Sequence, residues 1–142
     1  MIYFDSSALV KRYLREVGSE SVNAFLLSEE TIVTSKLAYP EILSAFMRKH
    51  RAGELVQKPL RSVIDQFESD WKHFFIIEFH DDLFPAIKVL IEKYPLKGAG
   101  TVHLSSALWL KHTAREDVKF VASDLNSLKA AGSENLHVIH LL

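Results

Sequence analysis

The sequence contains no cysteine. Disulfides and thiolate metal sites are therefore excluded, and any metal must be held by oxygen or nitrogen ligands. Long apolar runs are missing too: charged residues interrupt every hydrophobic segment, so no stretch reads as a membrane span. Nor does charge of one sign dominate, since 17 Lys and Arg face 18 Asp and Glu for a formal net charge of −1. Such a chain is no general magnet for polyanions; a nucleic-acid substrate would need local basic clusters, a metal ion or a partner. Proline and glycine are scarce, at four and five residues, and no Pro/Gly-rich linker, repeat or low-complexity tract divides the chain. The expectation is one domain over residues 1–142. Met1 leads straight into Ile2-Tyr3-Phe4 rather than into a basic leader and apolar h-region, so a cytoplasmic protein is expected.

What is present alternates. Short runs rich in β-branched and aromatic residues read as strands: Ile2 to Phe4, Thr31 to Thr34, Phe74 to Phe79, Lys119 to Ala122 and His137 to Leu142. Between them lie helical patterns, roughly Ser7 to Glu16, Ser19 to Leu27, Leu37 to Arg51, Pro59 to Lys72, Leu83 to Lys93, Thr101 to His112 and Leu125 to Ala131. Gly18, Gly53, Gly98 and Gly132 fall at or just beyond helix ends, where a left-handed residue is often needed. This order predicts an α/β fold: a mostly parallel sheet of about five strands with helices on both faces. Two basic clusters, Lys11/Arg12/Arg15 and Arg48/Lys49/His50/Arg51, sit at helix ends and read as solvated faces before they read as nucleic-acid contacts.

Parallel sheets carry their sites beyond the carboxyl ends of the strands, where strand order reverses. Asp5 follows the first strand and Asp124 the fourth. Each also precedes a helix and is equally suited to capping it; together, on strands that would be neighbours at the sheet centre, they look like a site. Glu41 is out of place for a surface acid, because Leu37, Ala38, Ser44 and Ala45 share its helical face. A carboxylate aimed at a core edge needs a partner or a cation, although its place in a first helical turn next to Pro40 also suits the helix dipole. Three converging carboxylates would make a plausible Mg²⁺ or Mn²⁺ site. Such an ion would activate water and offset charge on a scissile phosphate.

Three segments carry a resemblance to a known family. Tyr3-Phe4-Asp5-Ser6-Ser7-Ala8-Leu9 is similar to the opening strand–Asp–Ser/Thr motif of PIN domains, and Ser35 to Ile42 to their helix with a conserved Glu. Phe120-Val121-Ala122-Ser123-Asp124, with Leu128 and Ala130-Ala131, is similar to their late strand, Asp and helix. The chain resembles, over essentially its whole length, the VapC-type toxins within that family. The resemblance implies a three-layer α/β/α fold and a metal-dependent endoribonuclease that hydrolyses RNA phosphodiester bonds. It further implies catalytic and Mg²⁺- or Mn²⁺-binding roles for Asp5, Glu41 and Asp124. A homodimer is implied as well, inhibited by a small antitoxin whose tail covers the active site.

One motif departs. Where the family commonly reads Ala-Asp-Ala-Ile-His-Leu-Ala-Ser-Ala, this chain has Ala99-Gly100-Thr101-Val102-His103-Leu104-Ser105-Ser106-Ala107. Gly100 stands in place of an acid, and His103, Leu104 and Ala107 keep the register. Either the remaining three acids hold a metal, or water or Thr101 fills the gap, or the domain is an impaired PIN-like module that binds RNA or an antitoxin without cleaving. Ser6 and Asn126 are supporting candidates, the latter where some PIN domains carry a further acid. His103 reads as a hydrogen-bonded structural histidine, Asp81 and Asp82 as caps, and Trp71 and Trp109 as core or interface groups. Two other α/β classes fit poorly. A haloacid-dehalogenase-like phosphatase needs an acid where Ser7 stands, and a response-regulator receiver needs a lysine after the strand that Asp124 follows.

Overall fold

The computed structural model describes residues 1–141. Its five strands are β1 (Ile2–Phe4), β2 (Ile32–Ser35), β3 (Phe75–Ile77), β4 (Lys119–Ala122) and β5 (His137–His140). They form one sheet in the order β3-β2-β1-β4-β5, with every pairing parallel. The chain winds outward from β1 through β2 to β3, then returns to the other side of β1 for β4 and β5. The reversal falls between β1 and β4, whose ends carry Asp5 and Asp124.

Seven helices cover the sheet: α1 (Ser6–Leu9), α2 (Ser19–Leu26), α3 (Ala38–Arg51), α4 (Gln57–Trp71), α5 (Phe84–Lys93), α6 (Gly98–Ala114) and α7 (Leu125–Ser133). Side chains alternate along β1, which divides the core. Ile2 and Phe4 pack with Leu9, Val22, Ile42, Phe46 and Phe67 from α1 to α4. Tyr3 packs on the opposite face with Leu90, Leu104, Leu110 and Leu128 from α5 to α7. The result is a three-layer α/β/α architecture. Trp71 sits against the first core and Trp109 against the second, as expected for packing groups.

Several local readings need correction. The helix expected over Ser7 to Glu16 is a four-residue α1 running into a 3₁₀ turn at Val10–Arg12. Tyr13 leaves the helical path to enter the first core, its hydroxyl donating to Asp70 at 2.8 Å, and Arg12 bonds Asp70 and Asn23. Lys11 is buried and pairs with Glu16. Two of the three residues in that basic cluster thus pair with carboxylates within the fold rather than forming a solvated face. In the second cluster Lys49 pairs with Glu54, while Arg48 and Arg51 are exposed, as read. Helix α6 starts at Gly98, three residues earlier than the pattern suggested, so Gly98 and Gly100 lie in its first turn. Of the four glycines assigned to helix ends, only Gly18 and Gly53 have positive φ, and Gly132 lies inside α7. Asp81 and Asp82 occupy the first turn of a 3₁₀ helix (Asp81–Leu83) and make no side-chain cap. The fifth strand ends at His140, and Leu142 lies outside the described residues.

Candidate active site

Asp5 is fixed by the turn it starts. Its Oδ1 accepts from the Ala8 backbone N–H at 3.0 Å and the Ser7 hydroxyl at 2.7 Å, an N-cap of α1. Ser7 Oγ in turn accepts from the Ser123 backbone N–H at 3.1 Å, which ties the end of β1 to the end of β4. Asp124 repeats the device one strand over. Its Oδ2 accepts from the Ser127 N–H and hydroxyl, each at 2.9 Å, and caps α7. Capping and site membership, which the sequence left as alternatives, are compatible because capping engages only one carboxylate oxygen of each acid.

Glu41 enters from α3. Pro40 just before it lies in the first turn of that helix, where a missing N–H costs no helical bond. Glu41 Oε1 accepts from the Ser6 hydroxyl at 2.6 Å and from His103 Nε2 at 2.8 Å. Each of the three acids therefore has one oxygen engaged by the protein. For the other oxygen no hydrogen bond is found among the described residues, and none of the three is sealed from solvent. The cavity they share, with a volume of about 310 Å³, is also lined by Ser6, Ser7, Lys97, Gly100, His103 and Asn126.

The electrostatics follow from burial. Asp5 is almost fully enclosed, and loss of hydration pushes its carboxyl above the usual range; the Glu41 charge adds to this, and His103, Ser7 and the Ala8 N–H oppose it. For Glu41 burial also pushes upward, but the His103 and Ser6 hydrogen bonds and the His103 charge outweigh it, leaving the group below the usual carboxylate range.

Among the described residues no three His, Asp or Glu side chains approach closely enough to enclose a metal ion. The donor chemistry still fits a hard cation. Mg²⁺ keeps several waters and is commonly held by one or two carboxylates, and the three acids, each with one unpartnered oxygen, line one water-accessible space. Glycine at position 100 lies on that wall with no donor to add. Thr101 does not replace it: this residue is fully buried, outside the cavity wall, with its hydroxyl donating to the Lys97 carbonyl at 2.9 Å. Ser6 and Asn126 both line the cavity, and Ser6 bonds Glu41 directly.

Among the polar lining residues, sequence reasoning passed over Ser7, Lys97 and Ser127, and gave His103 no part in the site. Ser7 follows Asp5 by two positions, the spacing of a local side-chain turn, and that was a usable signal. Lys97 was visible only as a lysine ahead of a Gly-Ala-Gly run. His103 is the structural, hydrogen-bonded histidine expected, yet its partner is the site glutamate.

An all-parallel sheet in the order β3-β2-β1-β4-β5 between two helical layers is a PIN-like α/β/α fold. FitAcB from Neisseria gonorrhoeae superposes with a TM-score of 0.70 at 18% identity, covering 98% of this chain and 96% of that one. A toxin–antitoxin complex from Klebsiella pneumoniae gives 0.65 at 14% identity, covering 98% and 96%. No family model matches the sequence. Ribonuclease VapC45 of Mycobacterium tuberculosis (strain CDC 1551 / Oshkosh) is 32% identical over 112 residues, 76% of this chain and 75% of that protein. The chain belongs to the VapC ribonuclease family.

Proposed function

We propose that the chain is a divalent-cation-dependent endoribonuclease that hydrolyses RNA phosphodiester bonds and acts as the toxin of a toxin–antitoxin pair. One observation carries the reading. In a chain of the VapC family, Asp5, Glu41 and Asp124 converge on one cavity at the strand-order reversal, each with one oxygen held by the protein and one left over. In this reading those spare oxygens hold Mg²⁺ or Mn²⁺, directly or through water. A bound divalent cation supplies water activation and charge neutralisation at the scissile phosphate.

The residues of the chain divide the remaining work. Asp5, locked by Ser7 and the Ala8 N–H, cannot swing away from the cavity; Glu41 is held from behind by Ser6 and His103. Lys97 is the sole lysine or arginine on the cavity wall among the described residues and is placed to pair with a backbone phosphate. The antitoxin and a second copy of the chain are the proposed partners; the Klebsiella neighbour is itself a toxin–antitoxin complex. No helix of the described residues is long and apolar enough to cross a membrane, and we place the protein in the cytoplasm as a single domain.

The test is cleavage of a mixed RNA pool by the purified chain with Mg²⁺ or Mn²⁺, beside Asp5→Asn. The expected outcome is cleavage that EDTA stops and that Asp5→Asn lowers at least a hundredfold. Absence of cleavage by both the chain and Gly100→Asp, with both folded, would sink the nuclease reading in favour of a module that binds without cutting.

A further inference from the structure

Behind Glu41 runs a chain of buried polar groups drawn from three separate elements. Tyr3, at the middle of β1 and fully buried, places its hydroxyl 2.8 Å from His103 Nδ1. His103, on α6 and 2% exposed, places Nε2 2.8 Å from Glu41 Oε1 and 3.1 Å from Ser6 Oγ. Ser6 Oγ donates to the same Oε1. A carboxylate oxygen brings no proton to such a contact, so Nε2 carries the one shared with Glu41, while Nδ1 accepts from the Tyr3 hydroxyl if the ring is neutral and donates to it if the ring is charged. The Tyr3 ring is held in turn by stacking on Phe120 of β4, with centroids 5.6 Å apart and planes 9° apart. The imidazole meets the Tyr3 ring edge-on at 5.8 Å.

These contacts are asymmetric about Glu41. Oε1 receives two donors, while Oε2 receives none among the described residues. A glutamate has three side-chain torsions to fix before it can hold anything, and ordering them costs free energy at the moment of binding. With Oε1 pinned by a ring whose far side is locked into the core, that ordering is already in place. A structural histidine needs only any acceptor; this one reaches across the layers to an acid on the cavity wall. We infer that His103, backed by Tyr3, is a positioning residue that presents the free oxygen of Glu41 to the site's ligand. The inference rests on the proposed reading that this site holds a divalent cation. Supporting partners of this kind typically change metal affinity or activity by about 10- to 100-fold when lost.

The experiment is Mn²⁺ binding by calorimetry or by loss of the free-ion paramagnetic resonance signal, on the full chain without RNA. Wild type, His103→Leu, His103→Gln and Tyr3→Phe are compared, followed by kcat and KM for RNA cleavage. His103→Leu is expected to weaken Mn²⁺ binding by about 10- to 100-fold and to lower kcat with KM for RNA little changed. His103→Gln retains a donor at the Nε2 position and is expected to recover most of the affinity. Tyr3→Phe keeps the ring stacking and is expected to fall between wild type and His103→Leu, so the test survives if the leucine variant does not fold. Equal Mn²⁺ affinity and kcat in wild type, His103→Gln and Tyr3→Phe, with His103→Leu either unfolded or also equal, confines His103 to packing and overturns the inference. Equal loss in the glutamine and leucine variants overturns it as well. Wild type that binds no Mn²⁺ removes the cation reading itself, an outcome distinct from these and one that takes the inference with it.

Discussion

Restoring a carboxylate at position 100 tests the site's geometry from the side opposite Glu41. Gly100 lies in the first turn of α6 and on the cavity wall, with ordinary negative φ. A Cβ there would meet only Ser127 Oγ, at 3.4 Å, so Gly100→Asp fits with a small shift of a hydroxyl. Local terms favour the change: aspartate is roughly 0.3 kcal/mol better than glycine within a helix, and a first-turn acid gains about 0.3–1 kcal/mol from the dipole. Repulsion opposes it. At a separation on the order of 6 Å a carboxylate pair costs about 3 kcal/mol at an effective dielectric near 20 but under about 1 kcal/mol in water. The open cavity with an exposed Asp124 lies toward the watery limit. With Asp5 already short of hydration, the ion-free variant is expected to lose about 1–3 kcal/mol, or several degrees of Tm for a domain of this size. A divalent cation reverses the sign, because the added charge then has a partner. Thermal unfolding with EDTA and with increasing Mn²⁺ reads both effects. The variant should start below wild type, gain more from Mn²⁺, and bind it at least tenfold more tightly, a gain of about 1.4 kcal/mol. Identical ion-free Tm and identical Mn²⁺ response in the two proteins would refute the placement of residue 100 beside the three acids.

Two further outcomes concern the frame around the site. Gly18→Ala should cost at least about 1–2 kcal/mol by chemical denaturation, because Gly18 has φ +94° and an added Cβ would lie 2.9 Å from Leu141 Cβ; unchanged stability would mean that this turn is misplaced. Glu134 accepts from Lys93 at 2.8 Å and Tyr94 at 2.5 Å, and these bonds hold its carboxyl below the usual range. A depressed acid contributes stability that is present above the ordinary carboxylate value and lost as pH falls through its folded pKa. Glu134→Gln should therefore cost about 0.5 kcal/mol near neutral pH, with the difference from wild type shrinking below about pH 4. A difference that grows on acidification would contradict the assignment.

The fold was legible because its determinants are local and repeated. Three of the five strands start at the residue their composition marks, and the β-α order led directly to a parallel sheet. Misreadings occurred where a long-range contact overrode a local pattern. The polar, helix-favouring stretch after α1 breaks because Tyr13 and Arg12 are drawn to Asp70, 57 and 58 residues away. The start of α6 was placed late because glycine weakens a helix when judged alone. Its first turn instead lies beside α7, with Ser127 Oγ 3.4 Å from where a Cβ on Gly100 would stand.

The candidate site was legible in its acids and only partly in their supports, since Ser6 and a hydrogen-bonded His103 could be read singly but not paired, for a physical reason. Asp5 and Asp124 stand at strand ends, and Glu41 sits on an otherwise small, apolar helix face, all of which a sequence displays. What fixes those acids is a set of contacts spanning 35, 62 and 100 residues: Ser6 to Glu41, His103 to Glu41 and Tyr3 to His103. No periodicity encodes such pairs. Beyond Ser6 and His103 themselves, their trace is a tyrosine, with a polar group, inside a strand otherwise made of isoleucine and phenylalanine. A fully buried hydroxyl needs a partner, and on the α5–α7 side of the sheet a nearly buried histidine supplies it. Buried polar residues in a hydrophobic run thus point past the core to the site they hold in place, and Tyr3 is the residue in this chain from which that inference starts.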